Sequence, residues 1–320
     1  MGQRANYILI EAGKQTIHYN HWRANTIAAD LYLGERRFIQ FMKDCQLVDQ
    51  LLDEVWIEGC VIVDIDNKNL SFWAFELAPT SVMEIYLKEL FSKWNGWKID
   101  LLYNRMIDAE KILDIDYISK QDTPQFTCHT LSEVIDDTID EWPSATVIVI
   151  TEGGTHVIRT GNINFESIVL LGEPIVPILL KKTACALPVE EEDDVFGCVI
   201  IDSVNKKLII DSSEFGLWEQ AYQLWDGYNF EMGDFGFVGA LRRANINTEL
   251  IKMSPEKARL SFMELIKQNE AFNPVEFAKT LLAEDKNIKF SPDFFDTVAP
   301  QRTIIEKIKS IVNRLMRRKM

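Results

Sequence analysis

The densest run of side chains able to move protons or hold charge is His18-Tyr19-Asn20-His21-Trp22-Arg23-Ala24-Asn25, which contains two of the chain's four histidines. Successive side chains of an extended strand alternate between its faces, so His18 and Asn20 share one side and Tyr19 and His21 the other. A histidine here would serve as a general base and Arg23 as an anion clamp, as in a hydrolase or a phosphodiesterase- or nuclease-like site. Asp64 or Glu58 would be the acidic helpers, and Arg4, Arg36 and Arg37 would extend a local basic patch. His-x-x-His supplies two metal ligands at most, and spacing places no third, so no metal is assigned. The plainer reading is a strand end carrying solvated histidines.

Other candidates carry less chemistry. Asp64-x-Asp66 could hold Mg²⁺, but Asp66-Asn67-Lys68-Asn69 is also what a hairpin turn prefers. Cys128 and His129 are adjacent in sequence, which is poor geometry for a nucleophile and its base. G-x-S-x-G, H-E-x-x-H, G-x-x-x-x-G-K-[ST] and G-x-G-x-x-G are all absent from the sequence, and no cofactor is specified.

Charge gives a different clue. The net charge is −15, against the clustered Lys and Arg that broad nucleic-acid binding requires. Glu190-Glu191-Glu192-Asp193-Asp194 is five acids in a row. With Trp22 as an apolar anchor, this run is the candidate binding surface for a protein with a basic face. The residues from 301 to 320 run the other way, with seven basic residues and one acid around an apolar stripe of Ile304, Ile308, Ile311 and Leu315. Such a helix docks on an acidic body or makes weak contact with a membrane surface. No apolar run approaches the length of a transmembrane helix. Five cysteines without a C-x-x-C pair suit reduced thiols and a cytoplasmic location.

The elements that must position these residues repeat once. Gly59-Cys60-Val61-Ile62-Val63-Asp64 recurs as Gly197-Cys198-Val199-Ile200-Ile201-Asp202, 138 residues on, and Leu33-Gly34-Glu35 recurs as Leu171-Gly172-Glu173 at the same offset. Trp94-Asn95-Gly96-Trp97 is echoed by Trp225-Asp226-Gly227-Tyr228. Three landmarks in one order mean two copies of one unit. Each copy reads β-β-α-β-β-α-β. Its hairpins predict mainly antiparallel sheets, and a run such as Cys60-Val61-Ile62-Val63 predicts a strand covered on both faces. Helices are expected with inner faces Phe38, Phe41, Met42 and Cys45; Met83, Tyr86, Leu90 and Trp94; and Trp218, Ala221, Tyr222 and Trp225. Pro177 should keep the helix after Gly172 short.

The fold class is α+β: a first repeat over 1–113, an acidic linker with a short helix over 114–142, a second repeat over 143–246, and a helical extension over 247–320. Duplication creates a cleft or a continuous sheet between the copies, which is the place to look for a binding surface.

Met1-Gly2-Gln3-Arg4-Ala5-Asn6, Tyr19 to Asn25 and Trp56-Ile57-Glu58-Gly59 together resemble the start of a family of uncharacterised bacterial proteins. The resemblance covers about the first hundred residues and implies a bacterial cytosolic origin, with no activity attached. The functional expectation is therefore a non-enzymatic, acidic protein-interaction module, similar in kind to immunity proteins, antitoxins or regulatory subunits. The alternatives are the hydrolase or nuclease-like enzyme around His18, His21 and Arg23, and a membrane-surface module using the last helix.

Overall fold

The computed structural model describes residues 3–53, 56–74, 77, 80–121, 145–160, 165–187, 197–210, 216–232, 236–249, 251, 253–267, 280 and 283. Residues 1–270 form one compact unit and residues 271–320 another. Both sheets of the molecule's described part lie in the first unit.

In the first half, β1 (Ala5–Glu11) and β2 (Lys14–Asn20) form a hairpin. Helices Ile27–Tyr32 and Glu35–Asp44 then cross one face of the sheet, and β3 (Gln46–Val48) pairs with β2. A second hairpin, β4 (Gly59–Asp64) and β5 (Asn69–Ala74), is followed by helix Thr80–Lys93, β6 (Lys98–Leu101) and helix Met106–Leu113. The strand order is β3-β2-β1-β4-β5-β6.

The second half holds β7 (Ala145–Thr151), β8 (Gly154–Thr160), helices Phe165–Leu171 and Val176–Leu179, and β9 (Cys198–Asp202). It continues with β10 (Lys207–Ile210), helix Leu217–Ala221, β11 (Asn229–Met232) and helix Gly236–Arg243. Its order is β11-β10-β9-β7-β8. Helix Pro255–Leu265 packs back on helix Thr80–Lys93. It is capped by Ser254, whose hydroxyl accepts from Lys257 N ahead of Pro255 at the first helical position.

The α+β class holds, but the sheets are mixed rather than mainly antiparallel. The hairpins pair antiparallel, whereas β1 lies parallel to β4, β5 to β6, β7 to β9 and β10 to β11. A single helical crossover returns β6 beside β5 and β11 beside β10 in the same direction. β4 and β9 instead pair with β1 and β7, the first strands of the preceding hairpins, and so run opposite to β2 and β8.

Strand burial follows from helices on both faces. In β4, Val61 and Val63 enter a core with Phe38, Met42, Tyr86 and Trp94, while Cys60 and Ile62 enter another with Met106 and Ala109. In β9, Val199 and Ile201 face Ile168 and Trp225, while Cys198 and Ile200 face Phe237 and Leu241. Each fully buried aliphatic or aromatic side chain of this kind contributes about 1.5–3 kcal/mol.

The same local devices occur in both halves. Trp94 Nε1 donates to Leu31 O at 2.9 Å, and Trp225 Nε1 to Val169 O at 2.7 Å. Gly34 and Gly172 start helical segments at φ 88° and 72°. Gly59 and Gly197 each lie where a Cβ would strike a helix side chain, Ile27 Cδ1 at 2.4 Å and Phe165 Cδ1 at 2.6 Å. Lys68 and Lys206 take φ of 53° and 51°, and their carbonyls accept from Lys98 N and Asn229 N. The halves differ where sequence differs. Pro174 and Pro177 reduce the second half's helical segment to a 3-10 turn and the short helix Val176–Leu179. One side chain expected on an inner face departs from it. Trp218 is half-buried and packs against the core, but Tyr222 is 69% exposed, because the helix ends at Ala221 and a 3-10 turn over Tyr222–Leu224 changes the rotation per residue.

Candidate functional site

The β1–β2 register decides what the histidine-rich run can do. His18 is opposite Tyr7, and Tyr19 is opposite Asn6. Tyr7 belongs to the core with Phe38 and Met42, while its neighbour Ile8 belongs to the core on the other face. His18 therefore lies on the Tyr7 face, and Tyr19 and His21 on the reverse. His18 is buried, with its Nε2 3.2 Å from Thr16 Oγ1. Burial lowers its pKa, with the Lys43 charge acting the same way. His21 Nδ1 is 2.7 Å from the Tyr19 hydroxyl, and its ring is 4.4 Å from that of Trp22. Burial and then the Arg4 charge lower the His21 pKa to about 4. Trp22 is buried, with its backbone bridged to Gln3. The two histidines are thus separated by the sheet.

Arg23 turns back into the protein. Its Nε and terminal nitrogen donate to the two oxygens of Asp30 at 3.0 and 2.5 Å, a two-pronged pairing, and its guanidinium lies 5.0 Å from the Phe41 ring centre. Asp30 is 2% exposed and also accepts from Thr26 Oγ1 at 2.8 Å. The Tyr7 hydroxyl is 3.4 Å from Arg23 O, and burial followed by the Asp30 charge holds its pKa well above the usual phenol value. Cys45 packs against the same core, where burial raises its pKa to about 11. This is a clasp joining the strand end to helix Ile27–Tyr32, with its charges already paired.

The aspartates at and just beyond the ends of β4 and β9 are occupied by turns. Asp66 accepts from the backbone N–H groups of Ala12 and Gly13 at 2.8 and 2.7 Å, locking one hairpin turn to the next. Asp64 accepts from Asn67 N and Nδ2, as Asp202 does from Asn205 N and Nδ2. Glu58 accepts from Arg4 N at 3.0 Å. Among the described residues, no group of three His, Cys, Asp or Glu is placed to hold a metal ion. Among them, too, no helix is long and apolar enough to cross a membrane. Glu190, Glu191, Glu192, Asp193 and Asp194, Cys128-His129 and the helix expected over 301–320 lie outside the described residues.

A groove of about 470 Å³ opens between the halves. Tyr103, Asn104, Asp108 and Lys111 line one wall, from the turn after β6 and the helix beyond it. Trp218, Glu219, Phe230, Glu231 and Arg243 line the other, from helix Leu217–Ala221, β11 and the end of helix Gly236–Arg243. The Trp218 and Phe230 rings are 4.8 Å apart, and Tyr222 extends the group at 5.6 Å from Phe230. Asp108 accepts from Asn104 N at 2.8 Å and from Lys111 at 3.3 Å, so it fixes the start of its helix. Glu231 is 3.0 Å from Lys207, and Glu219 is exposed. Three carboxylates and two cations surround an aromatic pair, so the groove is slightly acidic.

Sequence reasoning pointed to the cleft between halves but not to these residues. Trp218 reads as a core position by helical spacing, Phe230 as an alternating strand residue, and Arg243 carries no motif. Strand β6 ends at Leu101, and Tyr103, two residues on, lines the groove. The available signal was an aromatic just past a strand end beside a run of charges. Comparison with known proteins matches the chain to no family model, no curated protein and no solved structure.

Proposed function

We propose that the protein is a non-enzymatic, acidic interaction module, of the kind that immunity proteins, antitoxins and regulatory subunits represent. Its two halves are copies of one β-β-α-β-β-α-β unit, and the junction between the copies supplies the binding site for a basic protein partner in the cytoplasm. The observation that carries this reading is the groove walled by both halves, in which the Trp218 and Phe230 rings pack at a 39° tilt beside Glu219 and Glu231. Aromatic rings are what protein interfaces concentrate at their centres, with polar and charged groups around the rim. The net charge of −15 would steer a basic partner to the surface. Five cysteines without a C-x-x-C pair suit a reducing compartment. A hydrolase at His18, His21 and Arg23 draws less support, since the histidines face opposite sides of the sheet and Arg23 is paired with Asp30.

The test is retention of partners from host lysate by the full chain and by its Glu219→Arg variant, with metal and nucleotide analysis of the eluate. The reading expects a stoichiometric basic protein that the wild type holds and the variant loses. Identical retention by both, or an eluate with bound nucleotide or metal and no protein, would refute it.

A further inference from the structure

Among the described residues the two halves meet through two similar helix pairs, one of them bridged by the Arg242–Glu84 ion pair. Helices Met106–Leu113 and Gly236–Arg243 each come after the last strand of their sheet and cover the face opposite the hairpin helices. Helices Thr80–Lys93 and Leu217–Ala221 each precede that last strand and lead into the tryptophan whose indole ties back to the first helix. Helix Gly236–Arg243 packs against Thr80–Lys93, and Arg242 reaches Glu84 at 2.6 Å. The counterpart pair, Met106–Leu113 and Leu217–Ala221, faces across the groove instead. Where one junction is bridged by an arginine on a glutamate, the other presents a glutamate, Glu219, and a tilted aromatic pair, Trp218 and Phe230.

We infer that this open junction is a seat for an arginine side chain presented by the basic partner. The inference rests on the interaction reading and names the group recognised. A guanidinium is planar, so it can stack on Trp218 or Phe230 and still donate sideways to a carboxylate; an ammonium is compact and strongly hydrated and gains less from such a slot. Glu219 is the exposed acceptor on this wall, while Asp108 is engaged with Asn104 N and Lys111. The protein already builds this arrangement within itself, with Arg23 beside Phe41 and bonded to Asp30. The half-buried Trp218 would supply the ring and Glu219 the acceptor for an arginine from outside.

The test titrates the full chain with a capped Gly-Arg-Gly-Arg-Gly peptide, its lysine counterpart and its citrulline counterpart, monitored by tryptophan fluorescence. Expected are saturable binding of the arginine peptide, at least tenfold weaker binding of the lysine peptide, and no binding of the neutral citrulline peptide. Trp218→Ala and Glu219→Gln should each weaken the arginine peptide about tenfold while leaving the far-ultraviolet circular dichroism unchanged. Equal affinity for arginine and lysine peptides, with both lost in Glu219→Arg, overturns the arginine seat and leaves the basic-partner reading standing. Binding unaffected by Trp218→Ala and Glu219→Gln, or no binding of any peptide, overturns the seat as well. If partner retention is also indifferent to Glu219→Arg, the interaction reading fails with it.

Discussion

Trp94 is fully buried and its indole Nε1 donates to the backbone carbonyl of Leu31 at 2.9 Å, so the end of one helix is tied to the end of another 63 positions earlier. The last turn of a helix leaves carbonyls without intrahelical donors, and Leu31 lies in the last turn of Ile27–Tyr32. The indole adds a second donor to Leu31 O, which also accepts from Gly34 N at 3.0 Å. Trp94→Phe keeps most of the apolar area and removes one of the two donors. A loss of about 0.5–1.5 kcal/mol is expected. Trp225→Phe should cost a similar amount through Val169. Urea unfolding of both variants measures it, and an unchanged midpoint in either would show that the indole bond adds nothing.

Arg23 and Asp30 should behave as a structural pair. Arg23→Met leaves the carboxylate of Asp30, 2% exposed, without its two-pronged partner, and a destabilisation of about 3–5 kcal/mol is expected for such an orphaned charge. Replacing both, as Arg23→Met with Asp30→Leu, should recover a large part of that loss. A double-mutant cycle by chemical denaturation reads the coupling. Wild-type stability in Arg23→Met would mean that Arg23 is free for another role.

The histidines set a pH dependence. An unfolded histidine titrates near 6.5, whereas burial holds His18 lower and burial with the Arg4 charge holds His21 at about 4. Between those values the unfolded chain binds the proton and the folded chain does not. Stability is therefore full above about pH 6.5 and falls as pH drops toward 4. NMR titration of the His21 Cε1 proton should show no midpoint near 6.5, and His21→Gln should flatten the stability slope between pH 6.5 and 4. A His21 midpoint at its ordinary value would contradict the packing described for it.

The glycine at the start of each half's second helical segment is required to different degrees. Gly172 has φ 72° and ψ −174°, a region nearly confined to glycine, and an added Cβ would lie 2.7 Å from Leu224 O. The same addition at Gly34 would lie 3.3 Å from Lys93 O. Backbone strain alone costs about 1–3 kcal/mol at either site. Gly172→Ala should lose more than Gly34→Ala, because both meet a backbone carbonyl but the approach at Gly172 is 2.7 Å against 3.3 Å at Gly34. Thermal unfolding of the two variants ranks them, and the reverse order would contradict the close approach at Gly172.

Much of this architecture was legible in the residues. Gly59 to Asp64 and its echo at 197 mark strands covered on both faces, and Gly96 and Gly227 adopt the positive φ that a helix stop after Trp94 and Trp225 calls for. Parallel pairing was not legible, because hairpin signals are local and say nothing of where the next hairpin lands. The site was less legible than the fold. His18 to Arg23 stood out by residue type, but only the register with Tyr7 and Asn6 shows that the sheet divides the histidines, and only Asp30 explains Arg23. The groove residues come from segments more than a hundred positions apart, and no spacing rule joins Tyr103 to Trp218.

The most direct test of the central claim is hydrogen exchange by mass spectrometry on the full chain, alone and with the basic partner captured from lysate. The account predicts slowed exchange over residues 103–111 and 217–231, with that protection lost in Glu219→Arg. Protection confined to residues 18–30, with the groove unchanged, would contradict it and move the functional site to the Arg23–Asp30 region.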